Sequence, residues 1–232
     1  MTRFTSLLGR LIVFAVILST TTLSIAFENV ASYYMVFQWP GSYCGAAKQG
    51  CCYPKTGKPT KDFKVGGIWP LSFTGEMPTN CESNTHFRLS EISNLTKSLE
   101  NEWPSLSCPI SGSSKLWEQE WMKYGTCSEP LFGGQYHYFH AALDLRNKVN
   151  ILKMLSSAGI HPNGSFYSLR KIVDAIQSRV TYMPAIMCYE DKSGNKQLYQ
   201  ILLCGDTTGT KIVDCLGLPQ SNCSEKIKFP SF

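Results

Sequence analysis

Ten cysteines, the first at position 44, constrain this 232-residue chain more than any other feature of its sequence. An even number of thiols in an exported chain reads as a disulfide framework, here five bridges with none left over. Zinc is the competing use for so many thiols. Cys51 and Cys52 are adjacent, however, and the others lack paired C-x-x-C knuckles.

The N-terminus agrees with export. Arg3 and Arg10 precede an apolar run at residues 11–18, a Ser/Thr-rich stretch and the small-x-small triplet Ser24-Ile25-Ala26. That order predicts a secretory signal peptide over residues 1–26. The run is shorter than the ~18 apolar residues of a spanning helix, and the polar block at 19–22 argues against an uncleaved anchor. Residues 27–232 then form one soluble domain, since no repeat or low-complexity linker divides them. The expected destination is extracellular, or vacuolar through the same pathway. Formal charge falls from +5 to +3 when the two leader arginines leave, an excess that tolerates a polyanionic partner without demanding one. Asn94, Asn163 and Asn222 head sequons, the last with a cysteine at its centre.

Patterning predicts an α+β domain with an antiparallel sheet. Residues 33–39 form a β-rich aromatic run stopped by Pro40-Gly41, a strand ending in a turn, with a cysteine-rich loop from Cys44 to about Lys61. Ile92, Leu95, Leu99 and Trp103 recur at helical spacing after Ser90. Helical patterns also cover residues 116–124, 138–155 and 168–180, the last with the apolar stripe Leu169, Ile172, Val173, Ile176 and Val180. Residues 185–189 and 198–204 flank a polar Gly-containing turn and read as a β-hairpin, with a third strand at 211–215.

Two islands carry the chemistry: Phe63-Lys64-Val65-Gly66-Gly67-Ile68-Trp69-Pro70 and Leu116-Trp117-Glu118-Gln119-Glu120-Trp121-Met122-Lys123-Tyr124-Gly125-Thr126-Cys127. They resemble the two signature segments of the ribonuclease T2 family, which read aromatic-x-x-His-Gly-Leu-Trp-Pro and Trp-x-His-Glu-Trp-x-Lys-His-Gly-x-Cys. Gln38-Trp39-Pro40-Gly41-Ser42-Tyr43-Cys44, Cys51-Cys52-Tyr53-Pro54, residues 197–200 and the C-terminal Phe229-Pro230-Ser231-Phe232 are similar to the plant S-like branch. The resemblance implies a disulfide-stapled α+β domain with a central antiparallel sheet flanked by helices. It also implies the pairings Cys44 with Cys51, Cys52 with Cys81, Cys108 with Cys127, Cys188 with Cys223, and Cys204 with Cys215. From spacing alone the connectivity stays open.

The departures matter more than the matches. Aligned on the framework residues, the family's three catalytic histidines fall on Gly66, Gln119 and Tyr124. Cleavage of RNA by transphosphorylation needs a base for the ribose 2′-proton, an acid for the departing 5′-oxygen and donors for the charged intermediate. Imidazole suits both transfers because its pKa of ~6.5 lies near working pH. Glycine has no side chain, an amide carries no proton, and a phenol, with a reference pKa of ~10, is a poor base. Glu120 and Lys123 remain, and the resemblance gives them roles at the scissile phosphate. At helical spacing Gln119, Glu120, Lys123 and Tyr124 share one face. Without the family, Glu120 and Lys123 read as an ordinary surface pair.

Gln38, Trp69 and Trp117 are the residues expected to line a substrate groove, and Trp121 is expected in the core. His86, His137, His140 and His161 all fall outside the islands. His137 and His140 stand at i and i+3, but two ligands make a weak metal site, so no metal and no cofactor are expected. The expectation is a secreted monomer of the ribonuclease T2 family, inactive or strongly impaired. It retains affinity for single-stranded RNA in a storage, defence or recognition role. The alternative is a working endoribonuclease that acts through 2′,3′-cyclic phosphates.

Overall fold

The computed structural model describes residues 30–46, 50–81, 86–109 and 112–232. The segment read as a signal peptide lies outside them. Among the described residues, seven strands form one sheet: β1 (Val30–Gln38), β2 (Lys64–Ser72), β3 (Phe166–Ser168), β4 (Ala185–Glu190), β5 (Lys196–Gly205), β6 (Ile212–Val213) and β7 (Lys226–Lys228). β1 is central, antiparallel to β2 on one side and to β5 on the other, and β5 also pairs β4 and β6. β2 is an edge strand, which is where Pro70 is tolerated.

Alternation along β1 builds two apolar layers. Tyr33, Met35, Phe37 and Trp39 point into the larger core beneath the helices, whereas Tyr34 and Val36 join Leu71, Leu202 and Cys204 on the opposite face. A β-bulge interrupts the β1–β2 register: Val36 stands opposite Gly67 and Phe37 opposite Val65, leaving Gly66 as the extra residue. This strand has no counterpart in the sequence reading, because the paired glycines erase the alternation that marks a strand.

The helices are α1 (Pro40–Ala46), α2 (Thr96–Glu102), α3 (Ser113–Glu120), α4 (Thr126–Phe132), α5 (Gln135–Lys148), α6 (Ile151–Ser157) and α7 (Leu169–Val180). Pro40 begins a helix rather than the expected turn, its fixed φ suiting a first helical position. The pattern after Ser90 is divided between a 3-10 turn at Leu89–Ile92 and α2. The pattern over 138–155 is two helices: α5 ends at Lys148, and Asn150 caps α6 by accepting a 2.8 Å hydrogen bond from the Lys153 amide. The stripe of α7 behaves as read, with Ile172 and Ile176 wholly buried. The 185–204 hairpin forms around Asp191, whose Oδ1 accepts from the amides of Ser193 and Asn195 at 2.9 Å each.

All ten cysteines are paired, but two of the five implied bridges are exchanged. Cys44–Cys51, Cys188–Cys223 and Cys204–Cys215 form as implied, while Cys52 pairs Cys108 and Cys81 pairs Cys127. The backbone explains the exchange. The Asn80 amide donates to the Lys123 carbonyl at 2.7 Å, which brings the segment after β2 onto the helix that carries Cys127. The Cys52 amide donates to the Leu106 carbonyl at 3.1 Å and so brings Cys52 to Cys108.

A buried ionic knot fixes where β2 begins. Arg146 of α5 donates to the Phe63 carbonyl at 3.0 Å and pairs Asp62 at 2.6 Å and Glu102 at 3.1 Å. Lys64 joins through Thr60 at 2.8 Å and Glu102 at 3.8 Å, and burial holds its ammonium below the usual lysine range. Removing one member would leave its partners buried and uncompensated. The edge strand is thereby clamped to α2 and α5.

Candidate functional site

Trp121–Gly125 is a π-helical turn set between α3 and α4, so residues 113–132 form one helix with a wide turn in its middle. Such turns re-aim side chains and concentrate at functional sites. Here the turn packs against β2. Gly125 is required by close approach, since a Cβ there would enter the Trp121 ring. Trp117 and Trp121, one turn apart, are buried in the larger core. Trp117 is 1% exposed and donates from Nε1 to the Trp103 carbonyl at 2.9 Å. It is therefore core and not groove wall, a correction to the sequence reading.

The other expected residues do gather. Glu120 and Tyr124 form the inner rim of the helix, and Gln119 and Lys123 form the outer, exposed rim. Tyr124 is buried, its ring 5.4 Å from that of Trp69 and tilted by 31°. Lys123 Nζ stands 4.8 Å from the centre of the Tyr124 ring, and the Tyr124 phenol holds the ammonium above its usual range. Glu120 Oε2 is buried beside Trp69 Nε1, and neither atom makes a well-formed hydrogen bond. Both crowd the Gly67 α-carbon: a Cβ there would lie 2.9 Å from Glu120 Oε2 and clash with Trp69 Nε1. Burial pushes the Glu120 carboxyl up to about 7, with Trp69 and Lys123 opposing the rise.

Gly66 belongs to the same face. A Cβ on it would meet Val36 Cγ1 at 2.9 Å and Gln38 Cβ at 3.2 Å. Gln38 Oε1 accepts from Tyr199 Oη and Gln200 Nε2, each at 3.1 Å, and Tyr189 packs edge-on to Tyr199 at 5.0 Å. Gly66, Gly67, Gln38, Trp69, Glu120 and Tyr124 are thus brought together, with Gln119 and Lys123 on the rim. The tyrosines at 189 and 199 were not found from sequence; they lie on opposite strands of a hairpin, and only its register joins them.

Among the described residues, three histidines make their contacts away from this site. His140 pairs Asp144 at 3.3 Å on α5, His137 packs on Tyr136, and the His161 amide donates to Tyr167. Among the described residues no hydrogen bond, ion pair or ring contact joins any histidine to Glu120, Lys123 or Tyr124. No cluster of three metal-ligating side chains occurs among them either. A cavity of about 490 Å³ opens elsewhere, lined by Val30, Phe73, Met77 and Pro78 among others.

The Asn94 and Asn163 side chains are on exposed positions, whereas that of Asn222 is engaged by both backbone groups of Cys188, at 2.8 and 3.0 Å.

A helix bearing a carboxylate and a lysine lies along the edge strand of an antiparallel sheet, tied to the segment after that strand by the Cys81–Cys127 bridge. The family profile described as "Ribonuclease T2 family" matches residues 30–215. The chain is 46% identical over 200 residues to extracellular ribonuclease LE of Solanum lycopersicum, covering 86% of each protein. It is 44% identical over 205 residues to ribonuclease 1 of Arabidopsis thaliana, covering 88% of each. The solved structure of RNase NT in complex with 5′-AMP superposes with a TM-score of 0.81 at 44% identity, over 88% of this chain and all of that one. The chain belongs to the ribonuclease T2 family, on its plant S-like branch.

Proposed function

We propose that this protein is a secreted T2-fold pseudoenzyme that holds single-stranded RNA without cleaving it at a useful rate. One observation carries the reading. At the three positions where the family places imidazoles, the site offers a glycine, an exposed amide and a phenol buried against Trp69. Each proton-transfer group contributes ~10²- to 10⁴-fold, so the loss of two costs ~10⁴-fold or more. Export is supported by the leader-like N-terminus, the complete pairing of cysteines and the name of the extracellular tomato relative. Among the described residues no helix is long and apolar enough to cross a membrane.

RNA affinity is supported by the exposed Lys123 ammonium, by the Gln38 and tyrosine patch beside Gly66, and by the nucleotide held by RNase NT. Stacking on aromatic rings and phosphate neutralisation together give binding that weakens as salt rises. A storage, defence or recognition role follows from binding without turnover.

The working-enzyme reading has one observation in its favour. A carboxyl raised to about 7 is tuned for proton transfer. It is a single such group where the reaction needs two, and its Oε2 is tucked under Trp69. The test is a restoration series, Gly66→His, Gln119→His and Tyr124→His, singly and together, assayed on RNA at mildly acidic and neutral pH. The pseudoenzyme reading expects cleavage from the triple variant and none from the parent; parental turnover equal to that of the restored protein would overturn it.

A further inference from the structure

The retained site holds two charges of opposite sign one helical turn apart, Glu120 on the inner rim and Lys123 on the outer. Lys123 is exposed, and Glu120, one turn back, turns inward so that Oε2 is buried against Gly67 and Trp69. In a site with imidazoles their positive charge would dominate the field at a bound phosphate. With Gly66, Gln119 and Tyr124 in their places, Glu120 and Lys123 are the charges left. The groups facing Glu120 are Lys123 and Tyr124 from its own helix, Trp69 from β2 and Tyr138 from α5. Tyr138 donates to the Ile68 carbonyl at 2.8 Å, and burial keeps its hydroxyl protonated far above neutrality. The Lys123 ammonium is raised and stays charged. The Glu120 carboxyl, pushed up by burial to about 7, changes charge near neutral pH.

We propose that Glu120 is a proton-operated gate on nucleic-acid binding: ionised, it cancels Lys123 and repels a phosphodiester, and protonated, it leaves the rim cationic and open to single-stranded RNA. The inference rests on the RNA-binding reading above and adds the direction of its regulation, capture in acid and release at alkaline pH. The physical basis is a carboxylate whose Oε2 is buried against Gly67 and Trp69, placed one helical turn from the site's cation.

The test is equilibrium binding of a 2′-O-methylated single-stranded oligonucleotide of mixed sequence, which cannot be cleaved through its 2′-oxygen. Fluorescence anisotropy is read from pH 5 to 9 at constant ionic strength, for the parent and for Glu120→Gln. The parent is expected to bind on the order of tenfold more tightly below the transition than above it. Glu120→Gln is expected to stay close to the acid-side affinity throughout. It keeps all four histidines, so their titration cancels in the comparison. Parental binding that is flat with pH, or a pH dependence unchanged in Glu120→Gln, removes the gate and leaves RNA binding standing. No binding at any pH removes both. A second measurement needs no variant: calorimetry of the parent at pH 7.5 in two buffers of different ionisation enthalpy. A fractional proton taken up per oligonucleotide supports the gate, and zero uptake overturns it.

Discussion

Replacing Glu120 by glutamine should stabilise the fold in a pH-dependent manner whose size follows from the buried carboxyl. Its pKa rises from 4.5 in the reference state to about 7 in the fold. A shift of that size corresponds to about 3 kcal/mol at 1.36 kcal/mol per unit. Because the folded state keeps the proton to higher pH than the unfolded chain does, the carboxyl costs nothing below the lower value. Its penalty grows across the interval between the two and is complete above about 7. Glutamine fills the same volume and does not titrate. Its own burial cost is the same at every pH and drops out of the comparison. Urea unfolding of the parent and of Glu120→Gln at closely spaced pH values should show the difference in unfolding free energy moving in favour of the variant by about 3 kcal/mol between pH 4 and 8. A difference that stays constant within about 0.5 kcal/mol would refute the placement of this carboxyl under Trp69.

Three further outcomes follow from the packing. Gly66→His alone should destabilise by about 1–3 kcal/mol in thermal or urea unfolding, because its Cβ must displace Val36 and Gln38, and Val36→Ala should recover part of the loss. Peptide mapping without reduction should recover Cys52 linked to Cys108 and Cys81 linked to Cys127. Opening the former bridge, which spans 56 residues of sequence, should cost about 4 kcal/mol of stability on the chain-entropy account. Lys123→Ala should weaken oligonucleotide binding and lower the slope of log affinity against log salt by about 0.7–1, with unfolding free energy unchanged within about 0.5 kcal/mol.

What could be read from sequence, and what could not, divides along physical lines. The α7 stripe and the 185–204 hairpin were legible because burial period and turn chemistry are local, down to Asp191 closing its own turn. β2 was not, because Gly66 and Gly67 carry no side chains to alternate and Gly66 is bulged out of register. Two bridges were misassigned because they depend on which loop meets which helix, as the Asn80 and Cys52 amides show. Within the site, Gly66, Gln119 and Tyr124 were visible as residue identities. That Trp117 turns inward to Trp103, that Tyr124 packs on Trp69, and that the Glu120 Oε2 is buried beside Trp69 became visible only in three dimensions. Helical spacing put the four rim residues on one face, yet the depth of each was set by the π-helical turn and the edge strand.

Under the pseudoenzyme proposal the fold persists while the proton chemistry is gone. Its most direct test is the rate of RNA cleavage by the purified, disulfide-intact protein beside an active relative such as ribonuclease LE, with product ends identified. Cleavage is expected to be slower by ~10⁴-fold or more, with no accumulation of 2′,3′-cyclic phosphates above an Lys123→Ala control. Turnover comparable to the relative's, producing cyclic phosphate ends that vanish on Lys123→Ala or Glu120→Ala, would contradict it.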